Sequence, residues 1–357
     1  MRRLTVASEH GAYEVIAQAG SVGRLGEILR GNNMNVPRSV VSNTTVGPLW
    51  AKSAAVSIEA PLTELEDGEE HKGWPAVHDL IRGWLDEGIR RNDSVLAVGG
   101  GVVTDTAGFA AAIFLRGIDW IAVPTTLLAM VDASIGGKTG VNLERGKNLI
   151  GVFWPPRLVV VDVNTLSTLP SRELRAGLAE VVKTAWIGDR ELLGAVPSTF
   201  DRFTEDQWED LVLRCVAVKA RIVAEDEREA GRRAALNLGH TLGHALEAAT
   251  SYRRFLHGEA VAWGLLAAAS LARRRELLST TAADQLVAAV RALGPLPPVG
   301  DIDTAAVRAH LGHDKKRDRE GIAWVLPADE GVVLGQRVAD DEAMDVFRSL
   351  QDGAADG

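Results

Sequence analysis

The stretch Leu236-Asn237-Leu238-Gly239-His240-Thr241-Leu242-Gly243-His244-Ala245 sets two histidines four positions apart. In a helix that spacing puts both on one face. Neutral imidazoles so placed suit a divalent metal ion. A third histidine opens the next apolar stretch in Leu256-His257-Gly258-Glu259. Upstream, Gly177-Leu178-Ala179-Glu180-Val181-Val182-Lys183 holds a carboxylate and a lysine about one turn apart. A catalytic metal keeps one position open, so two histidines and one glutamate suffice. The remaining histidine is then available as an acid or base near neutral pH. An H-x-x-x-H pair alone is a weak signal; His257 and Glu180 are what turn it into a metal centre. His10, His71, His78, His310 and His313 lack such company and read as ordinary surface or core residues.

A second chemistry is written in glycines. The apolar run Ser94–Val98 leads into Gly99-Gly100-Gly101-Val102-Val103-Thr104-Asp105. Three glycines let the backbone turn sharply and approach a ligand, and the start of a following helix suits a pyrophosphate. The pattern is not the G-x-G-x-x-G of the standard dinucleotide fold. It is followed by Pro124-Thr125-Thr126-Leu127-Leu128, by Asp132, by Gly136-Gly137-Lys138-Thr139-Gly140 and by Gly146-Lys147-Asn148. Two lysines and an asparagine in glycine-rich turns point to a bound phosphate, since an anion offsets the charge and ordering of the lysines.

The elements that must position these residues change character along the chain. Strand patterns cover Tyr13–Ala17, Arg38–Val41, Ala55–Glu59, Ser94–Val98, Trp120–Val123 and Leu158–Val163, with helical patterns at Gly23–Arg30, Ala76–Arg91 and Thr106–Leu115 between them. Alternation of this kind predicts a largely parallel sheet covered on both faces. Long amphipathic stretches follow at Glu173–Ile187, Glu205–Glu227, Leu236–Ala249, Glu259–Leu277 and Ala282–Leu293. The expected architecture is therefore a Rossmann-like α/β domain over 1–165 and an all-α domain over 166–357. The default site is a cleft between the two domains, beyond the carboxyl ends of the strands. With 357 residues the chain exceeds the roughly 250–300 that one core supports. A net charge of −9 with no basic block argues against nucleic acid. Cys215 is the one cysteine, which fits a reducing cytoplasm. No apolar run follows the N-terminal arginines, and Val102–Val131 is interrupted by Asp105, Arg116, Asp119 and Pro124. Neither a signal peptide nor a membrane span is expected.

Read in order, the segments resemble the 3-dehydroquinate synthase family of the sugar-phosphate cyclase superfamily, from about Asp67 to Leu326. They are Asp67-Gly68-Glu69-Glu70-His71-Lys72, GGGVVTDTAGFAA, RGIDWIAVPTTLLAMVDASIGGKTGVN, GKNLIG, TLPSRELRAGLAEVVK, DEREAGRRAALNLGHTLGHALE, HGEAVAWG and DKK. The resemblance implies a dehydroquinate synthase-like fold and Glu180, His240 and His257 as ligands of zinc or cobalt. It places NAD along Asp67, Gly68, Glu69, Glu70, His71 and Lys72, then Gly100, Gly101, Val102, Val103, Thr104 and Asp105. Thr125, Thr126, Lys138, Lys147 and the turn Thr165, Leu166, Ser167 and Thr168 complete that cofactor site. Asp132, Lys183, Asn237 and His244 fall around the reacting hydroxyls. Lys138, Asn148, His244 and one of Lys315 or Lys316 would hold the substrate phosphate, and Lys219 and Arg233 its carboxylate. An arginine like Arg116 reaches the phosphate across a homodimer interface in the family. The implied reaction cyclises 3-deoxy-D-arabino-heptulosonate 7-phosphate to 3-dehydroquinate with loss of phosphate, in the shikimate pathway. Rival readings are aminodehydroquinate synthase or another cyclase of secondary metabolism, and a metal-dependent polyol dehydrogenase. Cyclases of neutral sugars lose the asparagine before G-H-T or the second histidine; Asn237, His244 and Arg233 together favour the keto acid. Thr104 and Met130 stand where glycine and glutamine are frequent, and neither is expected to alter the chemistry.

Overall fold

Short β-branched runs build the first layer. In the computed structural model the described residues are 1–144, 146–197, 200, 202–312, 317–318 and 321–353. Strands β1 (Arg2–Val6), β2 (Tyr13–Ala17), β3 (Ser39–Asn43), β4 (Leu62–Leu65), β5 (Ser94–Gly99), β6 (Asp119–Pro124) and β9 (Leu158–Val161) form one sheet in the order β1-β2-β9-β6-β5-β3-β4. Every pairing is parallel except β1 with β2. Val95–Val98, Ile121–Val123 and Val159–Val161 are wholly buried, as strands covered on both faces must be. Helices α1 (Leu25–Gly31), α2 (Lys52–Ile58), α3 (Trp74–Asp86) and α4 (Gly101–Ile113) connect them. Strands β7 (Lys138–Leu143) and β8 (Gly146–Phe153) make a separate antiparallel hairpin.

One expected strand, Ala55–Glu59, is helix instead. Ala51, Ala54, Ala55 and Ile58 are buried while Val56 is 78% exposed, which is helical spacing and not alternation. These residues pack in the core with Leu25, Leu29, Leu96 and Val160. The adjacent strand is β4, a little further on.

Contacts divide the chain into two units, Met1–Pro170 with Arg202–Glu227, and Ser171–Asp201 with Arg228–Gly357. The second unit begins with α5 (Ser171–Gly188), after which α6 (Glu205–Glu225) belongs to the first unit. The second unit continues with α7 (His240–Ala249), α8 (His257–Arg274), α9 (Thr280–Arg291), α10 (Thr304–Gly312) and α11 (Asp340–Gln351). It is helical, as expected, with one addition: strands β10 (Arg317–Asp318), β11 (Gly321–Pro327) and β12 (Val332–Val338) form a small antiparallel sheet. None of the described helices is long and apolar enough to cross a membrane.

Helices α5, α7 and α8 approach unusually closely because glycine lies at their contacts. A Cβ on Gly258 would stand 1.8 Å from the Ala176 carbonyl oxygen, and one on Gly264 would stand 1.7 Å from that of Gly239. The backbones of three helices thereby come nearer than any side chain would permit.

Candidate active site

The side chains expected to ligate a metal come from the three closely packed helices of the second unit. Glu180 lies in the middle of α5, His240 is the first residue of α7 and His257 the first of α8. The helix carrying His240 was expected to begin at Leu236; a short 3-10 turn at Arg232–Asn237 precedes it instead. Donor atoms of Glu180, His240 and His257 all lie within 4.8 Å of one another. The Nε2 atoms of His240 and His257 stand 3.9 and 3.7 Å from Glu180 Oε1. That oxygen is buried and has no hydrogen-bond partner among the described residues. An orphaned anionic oxygen facing two imidazoles fits a divalent cation and little else.

The outer nitrogens support the same arrangement. His240 Nδ1 lies 3.1 Å from the Leu238 carbonyl and His257 Nδ1 lies 3.2 Å from Glu247 Oε2. Each contact suits an Nδ1–H donor, which leaves the Nε2 lone pair toward Glu180. Burial, with the nearby Lys183 charge and the neighbouring His257 and His244, holds the His240 pKa well below its ordinary value. The imidazole is therefore neutral, the form that ligates. Lys183, itself buried, forms an ion pair with Glu180 Oε2. His244 is exposed, with its ring 5.2 Å from that of His240 and 5.9 Å from that of His257. Arg233 is buried, and Asn237 donates to Glu229.

The first unit holds residues expected to bind an anion. The chain runs outward from β3 to β4, returns past β3 to β5 and continues outward to β6. Strand order thus reverses between β3 and β5, where open α/β sheets bind ligands. Gly99–Gly101 leaves β5 there and opens α4, whose first turn has no side-chain cap. Its N–H groups are available to an anion. Thr125 N donates to Gly99 O at 3.0 Å, while its hydroxyl is buried without a hydrogen-bond partner among the described residues. Asp67 accepts from Asn43 and Thr45, each at 2.6 Å, at the end of β3. Lys72 is buried and donates to Asp105 Oδ2 and Asn148 Oδ1, both at 2.6 Å. Burial raises the Asp105 pKa and the Lys72 charge opposes the rise. Asn142 bonds Glu69 through its side chain and Lys72 O through its amide, tying the Asp67–Lys72 segment to the β7–β8 hairpin. These features fit a dinucleotide lying across the β3–β5 crevice.

Two models of one family match the chain, that of the 3-dehydroquinate synthase N-terminal region over residues 62–176 and that of the C-terminal region over 177–317. The 3-dehydroquinate synthase of Citrifermentans bemidjiense is 41% identical over 347 residues, 95% of this chain and 96% of that protein. The chain belongs to the 3-dehydroquinate synthase family. Among solved structures it is similar to 2-deoxy-scyllo-inosose synthase complexed with carbaglucose-6-phosphate, NAD+ and Co2+, with a TM-score of 0.84, 26% identity and coverage of 98% and 99% of the two chains. It is also similar to the 2-epi-5-epi-valiolone synthase of Streptomyces hygroscopicus subsp. jinggangensis 5008 with NAD+ and Zn2+ bound, with a TM-score of 0.87, 27% identity and coverage of 99% and 100%.

Within this family member the remaining expected residues fall as follows. Lys219, on α6, donates to the Asp132 carbonyl at 2.7 Å and to its Oδ1 at 2.6 Å. Lys138 and Lys147 lie on the β7–β8 hairpin, Lys138 exposed. Thr165 to Thr168 form a 3-10 turn in which Thr168 Oγ1 accepts from Trp50 Nε1 at 2.8 Å. Arg116 is exposed on a loop where Leu115, Arg116 and Gly117 all have positive φ. Lys315 and Lys316 lie outside the described residues. Asn43, Thr45, Asn142, Glu229 and Glu247 were not foreseen. Glu247 alone left a trace in the sequence, at seven positions from His240 and three from His244 on one helical face.

Proposed function

We propose that the protein cyclises 3-deoxy-D-arabino-heptulosonate 7-phosphate to 3-dehydroquinate, releasing phosphate, with NAD and one zinc or cobalt ion as cofactors. The observation that carries this reading is the intact Glu180–His240–His257 donor set in a chain matched by both family models. A metal held by Glu180, His240 and His257 would polarise the C5 hydroxyl, and NAD held in the first unit would supply reversible hydride transfer at that carbon.

The chain's own residues then have separate duties. In the second unit Glu180, His240 and His257 hold the metal, and Lys183 steadies the Glu180 carboxylate. Asn237 and His244 orient the hydroxyls, with His244, exposed and outside the triad, the candidate proton carrier. Arg233 supplies a fork for the substrate carboxylate. In the first unit the Asp67–Lys72 segment, the glycine turn through Asp105, Thr125, Thr126, Lys147 and the turn at Thr165–Thr168 hold NAD. Lys138 offsets the charge of the phosphate, and Asn148 donates to it through Nδ2–H while its Oδ1 keeps its bond from Lys72. Asp132 and Lys219, joined in this structure, separate to meet hydroxyl and carboxylate. With C5 at the ketone level the C6–H would be acidic, and its transfer to His244 as the C7–O bond to phosphate breaks would leave a C6–C7 double bond; the overall class is a carbon–oxygen lyase. The enzyme works as a homodimer to which Arg116 contributes, in the cytoplasm, where Cys215 remains a thiol.

Supplying the heptulosonate phosphate with NAD and Co2+ should release one phosphate per substrate with no net NADH. Stoichiometric NADH without phosphate would instead mean a polyol dehydrogenase. The amino analogue as the better substrate would mean an aminodehydroquinate synthase.

A further inference from the structure

His257 stands at the start of a helix. It is the first residue of α8, and its side chain is 30% exposed. A ring at such a position has several rotamers open to it, and only one aims Nε2 at the Glu180 carboxylate. One restraint comes from another helix. Glu247 lies on α7 two turns beyond His240 and is 1% exposed. Its Oε2 is 3.2 Å from His257 Nδ1, while His257 Nε2 is 3.7 Å from Glu180 Oε1. One imidazole thus bridges two buried carboxylates on two helices.

We propose that Glu247 is a positioning residue for the metal centre, fixing the tautomer and ring angle of His257. The inference rests on the reading that Glu180, His240 and His257 hold a metal ion. Glu247 could itself be grouped as a ligand with His244 and His257, whose donors also lie within 4.8 Å. The orphaned oxygen decides between the two groupings. Glu180 Oε1 lacks a hydrogen bond, whereas Glu247 already meets the nitrogen it would share. The ion belongs beside Glu180, and Glu247 stands behind His257 as an acceptor.

Partners of this kind change metal affinity by roughly 10–100-fold. Metal-free wild type, Glu247→Gln, Glu247→Ala and His257→Ala are titrated with Co2+, following affinity and the visible cobalt spectrum. Thermal unfolding of each metal-free protein is recorded alongside. Glu247→Ala should bind Co2+ about 10–100-fold more weakly. Glu247→Gln, which keeps an acceptor and the side-chain volume, should lose several-fold and alter the spectrum while unfolding at the wild-type temperature. Should the alanine variant not fold, the glutamine variant decides. Wild-type affinity and spectrum in Glu247→Gln, with His257→Ala impaired, overturn the positioning role alone. A wild type that binds no Co2+, or His257→Ala that binds as well as wild type, overturns the metal centre together with it.

Discussion

Glu180 is a carboxylate removed from water, and its burial must be offset by charge and hydrogen bonds. Lys183 supplies one positive charge at Oε2, and burial keeps the His240 imidazole neutral, so that it supplies none. Oε1, which faces the two imidazoles, is left without a hydrogen-bond partner among the described residues, and a cation would satisfy it. A different pair illustrates how charge acts nearer the surface. Arg275 donates to both oxygens of Glu342, Nε at 2.9 Å, in the first turn of α11. That hydrogen bond holds the Glu342 pKa below its ordinary value of 4.5. As pH falls the unfolded chain therefore takes the proton first, and the stability present above that value is lost as pH passes through the lower, folded one. Glu342→Gln should flatten the decline in thermal midpoint between about pH 5 and pH 3. At neutral pH its cost is on the order of 0.5 kcal/mol after solvent screening. An unchanged acid limb would show that the pair is not linked to stability. The grouping of Glu180, His240 and His257 was legible because a metal site would restrict residue type and helical spacing at once. Glu229 and Asn142 were not, because a carboxylate or amide that meets its partner through a loop leaves no periodic trace. Asn148 and Lys219 stand out by residue type, whereas their bonds to Lys72 and Asp132 depend on tertiary placement.

Among elements, the glycine contacts decide the geometry of the centre. Gly258 follows His257 directly, and its Cα faces the Ala176 carbonyl of α5 one turn before Glu180. Gly258→Ala would push α8 away from α5 and part His257 from Glu180. Overpacking of this sort costs about 1–3 kcal/mol, and Co2+ affinity should fall further than stability does. Denaturant unfolding and cobalt titration measure the two, and an unaltered cobalt affinity would show that the helices accommodate the methyl. The parallel strands and long helices were readable because their apolar periods are strong. Strand β4 was missed because the helical face Ala51–Ile58 just before it resembles alternation over five residues. Strands β11 and β12 were missed because one ends in Pro327, the other contains Gly335 at positive φ, and both lie beside stronger helical patterns.

For the whole molecule, Arg116 has no hydrogen-bond or ion-pair partner among the described residues. Its backbone, with φ of 68°, follows Leu115 at 51°, a cost a chain bears where the loop has work elsewhere. Light scattering should give a dimer in solution. Arg116→Ala should keep the dimer and the Co2+ affinity but lower kcat/KM by on the order of 100–1000-fold. A fully active monomer would remove Arg116 from the reaction. The two-part plan was legible from the change in texture near residue 166, whereas the allegiance of α6 was not, since an amphipathic helix does not declare which core it will join. That helix has a consequence for biosynthesis. Its buried Trp208, Leu211, Val212, Cys215 and Lys219 belong to a unit whose sheet was finished by Val161. During translation at about 5–20 residues per second, the finished sheet waits several seconds for its last helix to leave the ribosome. Over that interval the surface α6 will cover stands open, and Asp132 has no Lys219 to meet.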